Sequence, residues 1–586
     1  MDDSDAVLAQ IGRTMLQTGD YVIARLDGVP YLEKPPMGSW LMAISYRIFG
    51  VHDWAARLPL VLGAILLAWV TCRYARWAFG GRAGFYSGLV IATCVGLFLF
   101  TRIQIPDALL TLCVCLSFWS FQRAIEPEEP HPRFWSIVLP VSIAFGMLLK
   151  GLIAMVFPAG GMFVYLLATR QLFSRTLWKR LHVFTGLLIL LAIAAPWHVL
   201  ATLRMPPYLV FTMHSGPGQY HGFFWFYFMN EHVLRFLNLR YPRDYDTVPR
   251  LYFWLFHLLW LFPWSVYFPA IAKLSFKPLD RAGRTRLLAL CWTGFILIFF
   301  TFSTTQEYYS MPCYPALALL LGSAIVAEGK WVRWGTRVLG IITACAAIAA
   351  VVILILSWGM PHPGDISEAL TRHPKAYKLS LGHMEDLTLA SFAYLRLPLA
   401  LAAVAFLIGC AGTFFRSMRN VALMAALMMA LFFHAARLAM VVFDPYMSSR
   451  PLAEALLRSP TGELIVDRHY YFFSSVFFYT NRPALLLNGR YLNLEYGSYA
   501  PGAPNVFIND GQFRDFWLKP ERYYLVANES AMPRLEGLVG NEQLHIVKES
   551  GGKFLLTNHP MNEPAAEMSG FSRSISHTFS VPNQIN

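Results

Sequence analysis

Charge is what this chain has least of. Only 14% of its 586 residues are Asp, Glu, Lys or Arg, against roughly 25% in an average soluble domain, and the shortfall excludes a soluble globular chain. Cysteine is sparse as well. The eight present lie mostly inside or at the ends of apolar runs, without the paired spacing of a zinc site or a disulfide framework. Cys113 and Cys115, two apart on an expected helix, point to different faces. No Walker loop and no Gly-x-Gly-x-x-Gly following a strand is present, so sugar transfer from a soluble nucleotide donor has no support. There is no internal repeat and no heptad seam. The N-terminus is acidic, with Asp2, Asp3 and Asp5, and lacks the basic and apolar regions of a cleavable signal peptide.

Apolar and aromatic length takes the place of charge. Hydrophobic residues make up 56% and aromatic residues 15%, and rings in such excess favour membrane–water interfaces. A membrane helix needs about 20 mostly apolar residues. Twelve stretches meet that pattern: 58–78, 83–101, 107–121, 134–149, 152–168, 181–201, 251–270, 287–302, 311–327, 338–358, 395–415 and 421–442. A shorter apolar stretch, 40–49, reads as a helix lying at the interface.

The net charge of +13 is concentrated in alternate loops. One set carries Arg73, Arg76 and Arg82, then Arg123 and Arg133, then Arg170, Arg175, Lys179 and Arg180. It continues through Lys273 to Arg286, Lys330 to Arg337, and Arg416 with Arg419. Basic loops stay cytoplasmic. Residues 1–57, 102–106, 150–151, 202–250, 303–310, 359–394 and everything after Phe443 then face outward. With twelve spans, residue 1 also lies outside, and the expectation is that one further helix precedes it. An anionic substrate such as a lipid phosphate is a second, compatible source of the positive balance. Nucleic acid is not an expected partner.

After Phe443 the composition changes. Asp444-Pro445 ends the last span, 451–457 reads as a short helix, and six short apolar runs follow: 464–466, 484–487, 506–508, 523–526, 544–547 and 554–556. These predict a small outer α/β domain of about 110 residues. The expected division is 1–57 as a first outer loop, 58–443 as the membrane domain, 444–558 as the α/β domain and 559–586 as a polar, disordered tail.

The outer surface collects nearly every acid that could do chemistry: Asp2, Asp3, Asp5, Glu33, Asp53, Asp107, Glu231, Asp244, Asp246 and Glu307. Asp107 follows Pro106 at a helix start, where it serves either as a cap on the dipole or as a functional acid. Lys150, between two spans, either snorkels or binds an anion on the side where cations are disfavoured. Lys34 is stiffened by Pro35-Pro36, which suits holding an amine toward an anion at the membrane surface. Glu231 and Arg235 have the spacing of a helical ion pair. His232 beside Glu231 offers a metal ligand, but two ligands do not make a site. Tyr308-Tyr309 reads as an aromatic belt or as two hydroxyls for a phosphate oxygen.

Several of these residues carry a resemblance. Asp2-Asp3-Ser4-Asp5, Ala9, Arg13, Met15, Gly19-Asp20-Tyr21-Val22 and above all Tyr31-Leu32-Glu33-Lys34-Pro35-Pro36 resemble the first outer loop of bacterial polyprenyl-phosphate-sugar glycosyltransferases. That group includes the aminoarabinose lipid A transferases and the wider protein O-mannosyltransferase-like family. Arg102 to Asp107, Lys150-Gly151, Glu231-His232 with Arg235, and Tyr308-Tyr309 look like the family's later landmarks. The resemblance implies an all-α, multi-span GT-C fold, and the small outer C-terminal α/β domain also fits. In the family a first span precedes an Asp-Glu pair whose Asp is catalytic. Aligned on Ala9 and Arg13, Ser4 stands at the Asp position and Asp5 at the Glu position, and a small shift brings Asp3 or Asp5 into the catalytic place.

The implied activity is sugar transfer with inversion, on the outer face of the inner membrane, from a polyprenyl-phosphate donor to a lipid A-like or other periplasmic acceptor. The resemblance assigns the base to Asp5 or Asp3, in an extended segment, with Asp107 orienting the acceptor or sharing that role. It assigns the donor phosphate to Lys34, Arg57, Lys150, Tyr31, Tyr309 and Arg235, and sugar contacts to Glu33, Glu231 and His232. Relatives with this fold can use a divalent metal, but no sufficient ligand set is visible here and no cofactor is expected. The competing readings are a protein O-mannosyltransferase and a lipid or solute transporter or flippase. A transporter predicts intramembrane charge and paired, broken helices in inverted repeats.

Overall fold

The computed structural model describes residues 1–243, 247–303, 305–371, 373 and 379–561. Asp244, Asp246 and nearly all of the expected tail 559–586 lie outside the described residues.

The chain opens on a helix, α1 (Asp3–Thr18), rather than the expected extended segment. Its cause is local. Asp2 is the N-cap and accepts from the Asp5 N–H at 2.8 Å. Val7, Ile11 and Met15 share one buried face, and Gly19 closes the last turn at φ 72°, a left-handed conformation that suits glycine. A small hairpin, β1 (Arg25–Leu26) and β2 (Val29–Pro30), follows. Pro36 then caps α2 (Met37–Phe49), which leaves Ile44, Ile48 and Phe49 exposed, as an interfacial helix would.

Every one of the twelve apolar stretches is largely helical, yet among the described residues only eight helices are long and apolar enough to cross a membrane. They include α3 (Asp53–Phe79), α6 (Asp107–Ile125) and α7 (Pro132–Lys150), and one bent pair, Arg250–Trp260 with Trp264–Ile271, raises the number to nine. The other expected spans are short or broken. α4 (Gly81–Thr93) and α5 (Val95–Phe100) are parted at Cys94, whose backbone is extended. α8 (Ile153–Ala168) and the helix Arg396–Gly412 are each under 18 residues. Twelve full-length spans are therefore not established.

The C-terminal region forms one six-stranded sheet in the order β5-β4-β3-β6-β8-β7. Its strands are β3 (Glu463–Asp467), β4 (Leu485–Leu487), β5 (Phe507–Ile508), β6 (Tyr523–Asn528), β7 (His545–Ser550) and β8 (Lys553–Thr557). The first four pair in parallel, and β7 and β8 add an antiparallel edge. β6 is buried along most of its length, as a strand covered on both faces must be. The first 31 residues and this sheet are not separate bodies: Val7, Ile11, Met15, Leu26 and Tyr31 share a hydrophobic core with Leu452, Leu464, Tyr470, Phe473 and Tyr524.

Asp3 bolts the two together. One of its oxygens accepts from the Ser475 N–H (2.9 Å) and hydroxyl (2.7 Å), the other from Ser449 Oγ (2.8 Å) and Lys553 Nζ (2.6 Å).

Candidate functional site

A cavity of about 480 Å³ opens between the outer loops and the membrane helices. Much of its lining is apolar: Leu152 just before α8, Ile153, Val156 and Phe157 of α8, then Phe236, Leu237, Phe299 and Phe300. Glu33, Lys34, Asp107, Lys150, Glu231, Arg235, Tyr308 and Tyr309 line it as well. An apolar chamber with a group of polar side chains in its lining suits an amphiphile.

Each polar group is held by local structure. Glu33-Lys34 precede the buried pair Pro35-Pro36, which leads into α2. Asp107 is the first residue of α6, just after the cap Pro106, and is 1% exposed. Rather than capping its helix it pairs with Lys150, the last residue of α7. The Lys150 ammonium lies over the rings of Tyr308 (5.1 Å) and Tyr309 (4.8 Å). The following Gly151 has φ 82°, and a Cβ there would collide with His232 and the Tyr227 hydroxyl. Only glycine lets the α7–α8 turn sit this tightly.

The acids and arginines form one continuous network. Arg235 donates to Glu231 (2.8 Å) and to the Tyr309 hydroxyl (3.0 Å). Arg240, 1% exposed at its side chain, bridges Glu231 and Glu33, reaching the latter at 3.1 Å. It also donates to the Pro242 carbonyl at 2.7 Å. Burial pushes the Glu231 carboxyl up, but Arg240, Arg235 and Lys34 outweigh it and hold Glu231 down at about 2. Lys34 alone among the described cavity cations makes no ion pair.

Several expected residues are placed elsewhere. Asp3 faces the C-terminal sheet with both oxygens occupied, and Asp5 faces the membrane unit: successive helical residues turn by about 100°, so positions 3 and 5 of α1 point to nearly opposite sides. Asp5 is 1% exposed, pairs with Arg57 and accepts from the Gln104 N–H at 2.6 Å. Burial pushes Asp5 up from the ordinary carboxylate value while the Arg57 guanidinium opposes it. Arg57 also donates to the Arg102 carbonyl. None of Asp3, Asp5 and Arg57 lines the cavity. Asp5 and Arg57 instead hold the 102–106 loop that delivers Asp107.

Tyr31 is 3% exposed, and its hydroxyl donates to Glu33 (2.9 Å) and accepts from Tyr471 (2.8 Å), outside the cavity lining. His232 lines the cavity wall, but Nδ1 faces the Tyr227 carbonyl (2.6 Å) and Nε2 accepts from the Leu152 N–H (3.0 Å). Neither nitrogen is left for a sugar, and burial lowers its pKa. Among the described residues no group of three or more His, Cys, Asp or Glu could hold a metal ion.

Sequence reasoning missed Arg240, Asn493 and Tyr471. Arg240 left one faint signal, an arginine on the side of the membrane where cations are disfavoured. Asn493 and Tyr471 left none.

Residues 33–199 match the family model for dolichyl-phosphate-mannose-protein mannosyltransferases. The undecaprenyl phosphate-alpha-4-amino-4-deoxy-L-arabinose arabinosyl transferase of Enterobacter sp. (strain 638) is 26% identical over 372 residues, 61% of this chain and 61% of that protein. The Aeromonas salmonicida (strain A449) protein of the same description is 29% identical over 360 residues, 59% of this chain and 61% of that protein. The match spans about three fifths of the length of these relatives. The crystal structure of ArnT from Cupriavidus metallidurans bound to undecaprenyl phosphate superposes with a TM-score of 0.77 at 22% identity, covering 95% of this chain and 93% of that one. Its apo form gives 0.73 at 21%. The resemblance read from the first outer loop is thus met by these relatives, and the fold is that of ArnT, the GT-C fold.

Proposed function

We propose that this chain is an inverting glycosyltransferase of the bacterial inner membrane that draws a polyprenyl-phosphate-linked sugar from the bilayer and transfers the sugar to a lipid acceptor on the periplasmic face. One observation carries the reading: Lys34, a cation without an ion-pair partner among the described residues, stands with linked polar groups in the lining of a largely apolar cavity. The apolar lining fits a polyprenyl chain, and the polar groups fit its phosphate.

The phosphate is held by Lys34, with Lys150, Arg235 and Tyr309 beside it. The acceptor hydroxyl attacks the anomeric carbon from the face opposite the phosphate. The bond from that carbon to the phosphate oxygen breaks, and its electron pair leaves on the polyprenyl phosphate, whose growing charge the cations stabilise. The hydroxyl proton passes to a carboxylate in the cavity. Asp107 is that base, since its counter-ion is a single flexible lysine that the arriving phosphate can draw away. Glu231 and Glu33 are each tied to arginine, and arginine pairs are the more rigid. A protein hydroxyl as acceptor is the second reading, favoured by the family model over residues 33–199. Lipid and protein products separate the two.

Undecaprenyl phosphate is the probe. In detergent or nanodiscs the wild-type chain should bind it saturably, and Lys34→Ala should weaken binding by roughly 10- to 100-fold, the loss of one charge-assisted contact of about 1.5–3 kcal/mol. Lys34 is partly exposed, so melting should hardly change. Equal affinity in the two proteins would refute the placement of the donor phosphate, and no binding by the wild type would refute the donor itself.

A further inference from the structure

The parallel part of the C-terminal sheet presents the carboxyl ends of β3 and β4 to the membrane unit. Open α/β sheets place functional loops at that edge. The loop after β3 carries Tyr471, whose hydroxyl donates to the Tyr31 hydroxyl at 2.8 Å. The loop after β4 carries Asn493, whose amide donates to Glu33 at 2.8 Å. Three further hydrogen bonds follow along the same loop. Glu495 accepts from the Tyr241 hydroxyl at 2.6 Å, and the Tyr496 hydroxyl accepts from the His221 N–H at 2.9 Å and donates to the Gly222 carbonyl at 3.0 Å. Gly497 lies so close to Pro30 that a Cβ would strike its carbonyl. Residues 493–497 therefore grip the chain just before Lys34 and the chain just beside Arg240.

We infer that Asn493 is a positioning residue for the donor-phosphate site, acting through Glu33, with Tyr471 supporting it through Tyr31. Glu33 accepts from three groups: Tyr31, Arg240 and Asn493. It adjoins Lys34 in the chain, so the direction of its carboxylate sets the direction of the backbone that carries the lysine. The sheet thus braces the cavity from behind Glu33, although none of its described residues lines it. The inference rests on the donor reading given above.

The test measures undecaprenyl phosphate binding across pH 5–8 for wild type, Asn493→Ala, Asn493→Asp and Tyr471→Phe, with melting followed in parallel. Asn493→Ala should weaken binding by about 10-fold and Tyr471→Phe by about 3-fold, in line with a charged and a neutral hydrogen bond. Asn493→Asp conserves shape but sets a second carboxylate against Glu33, and the two repel until one takes a proton. Its affinity relative to wild type should therefore be worst at pH 8 and recover toward pH 5. A purely structural role would give a ratio that does not move with pH. Variants that bind like wild type at every pH would overturn the inference and leave the donor reading standing. A wild type that binds no undecaprenyl phosphate would overturn both.

Discussion

Asp107→Asn tests the proposed base apart from the proposed phosphate clamp. Asp107 is 1% exposed and pairs with Lys150, whose ammonium is also held over two tyrosine rings. The substitution keeps the shape of the side chain and removes its charge and basicity. Loss of a positioned base costs about 10²–10⁴-fold, or roughly 2.7–5.5 kcal/mol of barrier at 1.36 kcal/mol per tenfold. The donor should respond the other way. Lys150 keeps its ring contacts and loses the carboxylate that competes with the phosphate, so undecaprenyl phosphate should bind as well as before or up to about 10-fold more tightly, a gain of at most about 1.4 kcal/mol. Single-turnover transfer from an undecaprenyl-phosphate-linked sugar, measured beside binding of undecaprenyl phosphate alone, reads both quantities. Breaking a buried pair can itself cost 3–5 kcal/mol of stability, so a melting curve accompanies each assay. Transfer at the wild-type rate would refute Asp107 as the base. Binding that falls in step with transfer would show that Asp107 only holds Lys150 in place.

Asp3→Ala tests an acid of the opening cluster. It strands Lys553 beside buried hydroxyls, and the loss of one partner of a buried pair should lower stability by about 3–5 kcal/mol, seen as a lower melting temperature and faster proteolysis after Phe443. Wild-type melting with abolished transfer would instead return Asp3 to catalysis. Asp27 gives a pH dependence. Burial pushes its carboxyl up to about 7, against the Ala484 N–H that it accepts at 3.3 Å. A raised carboxyl pKa means that the folded chain holds the proton where the unfolded chain has lost it. Stability from this group therefore falls as pH rises from about 4 to about 7, by up to about 4 kcal/mol. Asp27→Asn should flatten that fall in thermal melts between pH 5 and 8. An unchanged pH profile would rule it out.

Much of the architecture was decided by properties that need only near neighbours. Apolar runs long enough for a bilayer, basic loops that alternate along the chain, and the six short strands after Phe443 can each be read in a window of about twenty residues. Tyr31–Pro36 is similarly compact, and it alone placed Lys34 and Glu33 together. Even α1 was legible in principle, from Asp2 as cap, the spacing of Val7, Ile11 and Met15, and Gly19 as stop. Reading it as extended put Asp3 and Asp5 on one face, whereas the helix turns them apart.

What only the tertiary structure decided is which acid meets which cation. Asp3, Asp5 and Asp107 are all outer carboxylates with a base in reach, and nothing local distinguishes them. Their roles differ because Asp3 meets Lys553, Asp5 meets Arg57 and Asp107 meets Lys150, partners that lie 43 to 550 positions away in sequence. Arg240 is the clearest case. It is an unremarked loop arginine in the sequence, and behind the cavity lining it ties Glu33 to Glu231 because folding buries it between them. Burial strengthens such a pairing far beyond its worth in water, and burial is a property of the packed chain, not of any segment of it.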